Sequence, residues 1–156
     1  MPSRRAFLGL AALLALGVTT PARAKGKGKL EIAAVEWPTP GPSMKLREKQ
    51  VKTSIRRLAL QAAKHLDFGS DKAVATLIVK ELVASEADGV LKVSCSLVGR
   101  LKGGGTARSK IAFGGKPDSR KKIERQVLSS VTDGVIIRLA ELDSEDWREL
   151  MEETMH

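Results

Sequence analysis

Apolar residues recur along this chain with two different periods, and the period changes where glycine and proline cluster. Between Val90 and Leu101, Leu91, Val93, Cys95 and Leu97 alternate with Lys92, Ser94 and Ser96, and Arg100 continues the polar set. Side chains of a strand alternate across a sheet, so this segment predicts a strand with one buried and one wet face. Leu30 to Trp37 also reads as a strand, with Leu30, Ile32, Ala34 and Glu36 set against Glu31, Ala33, Val35 and Trp37. Pro38, Pro40, Gly41 and Pro42 stop it. Ala73 to Ala84, rich in Val, Ile, Leu and Thr, predicts another strand. Ser85 to Gly89 joins it to the next as a hairpin, because Asp88-Gly89 readily takes the positive φ of a tight turn. Lys102 to Gly105 is a second turn, Thr106 to Phe113 a fourth strand, and Gly114 to Pro117 closes it.

Two longer stretches switch to helical spacing. Ser43 can cap a helix running to about Leu66, with Val51, Ile55, Leu58, Ala62 and Leu66 on one face. Lys45, Lys49, Lys52 and Arg56 form a basic stripe on another face. Asp118 or Ser119 can cap a second helix to about Leu142, with Ile123, Val127, Val131, Val135, Leu139 and Leu142 inward. Gly134 inside it costs about 1 kcal/mol relative to Ala, which close packing against a sheet would explain. Asp143-Ser144 then predicts the cap of a short third helix carrying Trp147, Leu150 and Met151 on one side.

The order β-α-β-β-β-α plus a short C-terminal helix predicts an α+β, two-layer sandwich. Four mostly antiparallel strands would carry both long helices on their apolar face. The first strand–helix–strand crossover should be right-handed if its strands pair in parallel. No internal repeat at solenoid spacing is present.

The first segment is an address. Residues 1–24 combine Arg4 and Arg5 with the uncharged apolar run Phe7 to Val18 and the small-residue site Ala22-Arg23-Ala24. Ser3-Arg4-Arg5-Ala6-Phe7-Leu8 resembles the twin-arginine export signal, which implies a bacterial passenger folded before export. The run is shorter than the ~20 residues of a membrane span. No cysteine follows it and no second long apolar run occurs. The expectation is a periplasmic or secreted protein without a transmembrane segment after cleavage. Residues 25–29, Lys-Gly-Lys-Gly-Lys, then form a flexible basic linker. A single domain should occupy residues 30–142, leaving 143–156 as an acidic tail.

Charge sharpens the picture. The 156 residues hold 27 Lys and Arg against 18 Asp and Glu, a formal net charge of +9. Residues 141–156 hold seven of those acids and one base, Arg148, so the body is more basic than the average suggests. The basic candidates are the Lys45/Lys49/Lys52/Arg56 stripe, Lys92 and Arg100, Arg108 and Lys110, and Arg120-Lys121-Lys122. Such a field attracts anions. Export, 3% aromatics and no Tyr argue against nucleic acid, which needs stacking platforms when single-stranded. An anionic envelope polymer or an acidic envelope protein fits better. In the tail, Trp147, Leu150 and Met151 could dock on the body while their acidic neighbours neutralise it.

Catalytic material is sparse. One cysteine and two histidines exclude a disulfide framework and a thiolate zinc site. Cys95 reads as core, with an intermolecular disulfide as the alternative. His65 sits near a helix end and His156 at the terminus. Glu31, Glu36, Glu81 and Asp88 show no spacing that argues for paired acid–base carboxylates. Lys102-Gly-Gly-Gly-Thr106 is no P-loop, because its glycines lead into a strand and its lysine comes first. No cofactor or metal is implied.

Ile32-Ala-Ala-Val-Glu-Trp37-Pro38, followed by a long helix, the pair Leu77–Leu82 and Val90–Leu97, and the helix Ile123–Leu139, resembles a group of bacterial envelope modules. These are the N-terminal domain of the Tol-system translocation protein, outer-membrane activators of peptidoglycan synthases, and the curli-secretion channel lipoprotein. The likeness is one of pattern and order over residues 29–142. It implies a non-enzymatic module that docks envelope proteins, and it carries over no functional residue. The chain departs from the lipoprotein members in lacking their anchoring cysteine. An exported binding module is therefore the leading expectation. Its rivals are a polyanion-binding protein and an unfamiliar periplasmic hydrolase using carboxylates.

Overall fold

The computed structural model describes residues 29–41, 44 and 47–155, without the side chains of residues 146, 147 and 151. Arg4 and Arg5 of the expected export signal, Ser43, which the sequence offers as a helix cap, Lys45, and the tail side chains of Trp147 and Met151 lie outside the described residues. Four strands form one sheet in the order β1-β2-β3-β4: β1 Lys29–Glu36, β2 Lys72–Ala87, β3 Val90–Leu101 and β4 Thr106–Gly115. The β1–β2 pair is parallel and the other two are antiparallel. Helix α1, Glu48–Ala63, is the crossover between β1 and β2, and α2, Arg120–Met155, follows a single 3₁₀ turn at Pro117–Ser119. The fold is thus α+β, with α2 on β3 and β4, α1 on β1, and the helices against each other.

The alternation seen in the sequence decides which face is covered. Leu91, Val93, Cys95 and Leu97 of β3 are all buried, and Lys92 and Arg100 are exposed. Strand β2 carries an irregularity between Val79 and Glu81, which leaves Lys80 without a partner. Ala73, Ala75, Leu77 and Val79 face the core before it, and Leu82 and Ala84 pack on the core after it. One extra residue exchanges the faces of a strand. A similar shift between Ile32 and Ala34 lets Leu30, Ile32 and Val35 all be buried, where strict alternation would set Val35 opposite Leu30.

Asp88 and Gly89 both have positive φ, +52° and +74°, so the β2–β3 hairpin closes in a two-residue turn. Glycine also sets how near α2 comes. A Cβ on Gly99 of β3 would lie 2.6 Å from Val135 Cγ1, and one on Gly134 would lie 2.9 Å from Ser109 Oγ of β4. The helix glycine is indeed a point of close approach to the sheet.

The separate short C-terminal helix is replaced by continuation of α2, which runs unbroken for 36 residues to Met155. Asp143 does not cap. Its carboxylate accepts hydrogen bonds from the Ser70 backbone N–H (3.0 Å) and Ser70 Oγ (2.9 Å), and the Ser144 hydroxyl donates to the Asp67 carbonyl (3.4 Å). The pair that looked like a helix start instead ties the α1–β2 connection, with Phe68 buried in it, to the middle of α2. No glycine or proline follows Gly134 to interrupt the helix.

Candidate functional site

The amino-terminal halves of α1 and α2 lie side by side and leave a groove of about 1080 Å³ between them. Gln50, Thr53, Ser54 and Arg57 line one wall from α1, and Lys121, Arg125 and Leu128 line the other from α2. These positions recur at the three- and four-residue intervals that share a helix face. Arg47 and Arg120 sit at the helix starts, Lys49 lies on the rim, and the floor includes the buried Val51 and Leu128. Six lining residues are cationic, and Glu124 is the one acid among them.

Glu124 organises the groove. It is only 8% exposed and receives a bidentate contact from Arg47, with Nη1 at 3.0 Å and Nη2 at 2.7 Å, plus Arg120 Nε at 3.3 Å. The hydrogen bonds from Arg47 hold the Glu124 carboxyl below its ordinary value, against the opposing effect of burial, and Arg120 adds to the lowering. The same contact raises the pKa of Arg47. Among the described residues, Lys49, Arg57, Lys121 and Arg125 make no ion pair. Among the described residues the groove therefore keeps four unpaired cations beside two, Arg47 and Arg120, that Glu124 anchors.

The basic candidates divide between two layers. Lys49, Arg120 and Lys121 reach the groove. Lys52 pairs with Glu48 at 2.9 Å, and Arg56 turns toward the other side of α1, its Nη1 3.4 Å from the Ile32 carbonyl of β1. Lys122 is exposed but lies off the groove wall. Lys92, Arg100, Arg108 and Lys110 occupy the outer face of the sheet, on the layer opposite the helices, and Lys110 approaches Glu81 at 3.6 Å. Arg47, Arg57, Arg125 and Glu124 escaped the sequence reading. Glu124 carried one signal, a lone acid inside the basic run Arg120 to Arg125. Arg47 gave none, because its partner is 77 residues away.

Cys95 is fully buried, and burial, with the Glu81 charge adding, pushes its thiol up to about 12. His65 is exposed just beyond α1. Glu31 pairs with Lys72 at 2.9 Å, and Asp88 sits in the hairpin turn. Among the described residues no group of three potential metal ligands occurs, and no helix is long and apolar enough to cross a membrane. Leu150 is 58% exposed beside the Lys102–Gly104 turn.

No protein-family model matches the chain, and no curated protein matches it significantly. Among solved structures, a Caulobacter crescentus protein designated a lipoprotein aligns with a TM-score of 0.45 at 13% identity, over 76% of this chain and 90% of that one. A minor lipoprotein from Acinetobacter baumannii gives 0.41 at 13% identity, over 73% and 91%. The PelC dodecamer from Paraburkholderia phytofirmans gives 0.41 at 16% identity, over 73% and 87%.

Proposed function

We propose that this chain is an exported, non-enzymatic envelope module that binds an acidic protein partner in the groove between α1 and α2. The carrying observation is the groove itself, with six cations, one anchored acid and an apolar floor. Neutral donors on Gln50 and Ser54 line the same wall as Arg57, which suits carboxylates on a rod-shaped segment. The export reading rests on Arg4, Arg5 and the apolar run behind them, and the docking reading on the resemblance to Tol-type envelope modules. The test is titration of a synthetic Glu-rich helical peptide with the chain from Lys25, at low and high salt. Exposed ion pairs contribute about 0.2–1 kcal/mol each. Arg57→Ala/Arg125→Ala should therefore weaken binding roughly two- to thirtyfold. Equal binding by variant and parent would sink the proposal.

A second reading, polyanion binding, is favoured by the cations Lys92, Arg100, Arg108 and Lys110 on the opposite layer. It predicts affinity for inorganic polyphosphate that falls steeply with salt and drops when the sheet-face cations are removed. Affinity indifferent to both would dismiss it.

A further inference from the structure

We infer that the acidic partner of the groove is the carboxyl-terminal end of α2 from a second copy of this chain, so that copies associate head to tail. The inference rests on the groove being a site for an acidic segment and names that segment.

Three observations lead there. First, the acids of the tail are arranged as a face. Glu145, Glu149 and Glu152 recur at four- and three-residue intervals on a helix, and all are exposed, as is the neighbouring Glu153. None of these four has an ion-pair partner among the described residues. Leu150 and Met155, 58% and 81% exposed, add apolar surface to the same end.

Second, the groove matches this segment in length and chemistry. Its walls run from Gln50 to Arg57 and from Lys121 to Leu128, eight residues each. Glu145 to Glu152 also spans eight residues. At ~1.5 Å rise per step, end to end, both cover about 10 Å. A helix laid along the groove places its glutamates against Arg57, Lys121 and Arg125, over a floor with Val51 and Leu128.

Third, the chain cannot fill its own groove. Both lie on α2, with Arg125 near one end and Glu149 near the other, so an unbroken helix holds them roughly 36 Å apart. Leu139 in the core and the Asp143–Ser70 contact lock the helix before the acidic end begins. The unbroken helix therefore removes the expectation that the tail neutralises this part of its own body. Opposite charge at opposite ends of one rigid rod leaves association between copies. Such a contact joins two different surfaces, so it closes into a ring or reciprocal dimer, or propagates.

The experiment is sedimentation equilibrium of the chain from Lys25 at low and high salt, with two charge-reversed variants. Glu145→Lys/Glu149→Lys/Glu152→Lys reverses the tail, and Arg57→Glu/Lys121→Glu/Arg125→Glu reverses the groove; all six positions are exposed. The parent should self-associate with increasing concentration at low salt. Each variant alone should associate at least tenfold more weakly. The variant carrying both sets should regain association, which a merely misfolded protein would not do. A parent that stays monomeric, or variants that associate like the parent, would overturn the inference. A monomeric parent that still binds the Glu-rich peptide, with loss in the groove variant, refutes self-docking and leaves the groove's function standing. Loss of both refutes both.

Discussion

Gly99 is the position where one methyl group should cost the most. A Cβ there would meet Val135 Cγ1 at 2.6 Å, Leu139 Cδ1 at 2.8 Å and Leu77 Cδ2 at 3.3 Å. Carbon atoms pack best near ~3.5–4.0 Å, so two contacts fall short by roughly 0.7–1.4 Å. Val135 cannot swing freely, because it is fully buried and branched at Cβ. Relief requires the middle of α2 to back away from β3. Overpacking of this kind costs about 1–3 kcal/mol. The alanine recovers about 0.5–1 kcal/mol by restricting the unfolded chain. The net expectation for Gly99→Ala is a loss of about 1–2 kcal/mol, or about 3–10 °C in Tm for a domain of this size.

Gly134→Ala is the control on the same interface. Its Cβ meets Ser109 Oγ at 2.9 Å, an atom that rotates about χ1, while Ser109 Cβ stands at an ordinary 3.5 Å. The helix gains about 1 kcal/mol from the change, which offsets the displaced hydroxyl. Thermal and urea unfolding of the two variants should separate them by about 1–2 kcal/mol. Adding Val135→Ala to Gly99→Ala should return most of the clash energy as a favourable coupling in a double-mutant cycle. A Gly99→Ala protein as stable as the parent would show that α2 does not approach β3 as described.

Thr132 Oγ1 is buried without a hydrogen-bond partner, so Thr132→Val should raise stability by about 1–2 kcal/mol in urea unfolding, and no gain would mean the hydroxyl is satisfied. Asp143→Ala should cost about 1–3 kcal/mol while leaving the helical circular dichroism intact, since the side chain serves the α1–β2 connection; unravelling of residues 143–155 would instead make it a cap. Glu124 has a depressed folded pKa, so its contribution is fully present above its ordinary value of 4.5 and is lost as pH falls through the lower folded value. The stability gap between parent and Glu124→Gln should accordingly be widest near neutrality and close in acid, and a gap constant with pH would contradict the pairing. Cys95, fully buried with its thiol near 12, should react with a thiol reagent at pH 8 only at the rate of unfolding, and rapid labelling of the folded protein would count against its burial.

Period and punctuation were enough for the four strands and the two long helices, because each is long, though the end of α2 was misplaced. They were not enough for registers. The unpaired Lys80 sits in Leu77-Ile-Val-Lys-Glu-Leu82, where every apolar residue fits some strand, so nothing local marks the face exchange. Asp143-Ser144 failed for a related reason. An acid followed by serine suits a helix start and also suits a helix side chain reaching a loop, and only the position of Ser70, 73 residues away, separates them. The groove was partly legible. Lys49, Arg120 and Lys121 stood in basic runs, but Arg57 and Arg125 gained their meaning when packing of Val51, Ile55 and Leu128 fixed how the two helices are rotated.

That rotation also accounts for the way the groove balances its charge. Six cations around one cleft repel each other, and such repulsion counts against the folded state. Glu124 answers the part of that repulsion closest to the core, where Arg47 is held by two hydrogen bonds and Arg120 by a third. A buried carboxylate of this kind fixes geometry more than it adds stability, since its own desolvation opposes its pairing. The outer four cations receive no such answer among the described residues. A fold that only needed solubility would intersperse acids among them, as Glu48 does for Lys52 and Glu31 for Lys72. Within the same helix α2, Lys121 and Arg125 stand unpaired at one end, and Glu145, Glu149, Glu152 and Glu153 at the other, with Arg148 the one base among them. The surface we propose to neutralise them is carried by the chain itself, at a distance only another molecule can bridge.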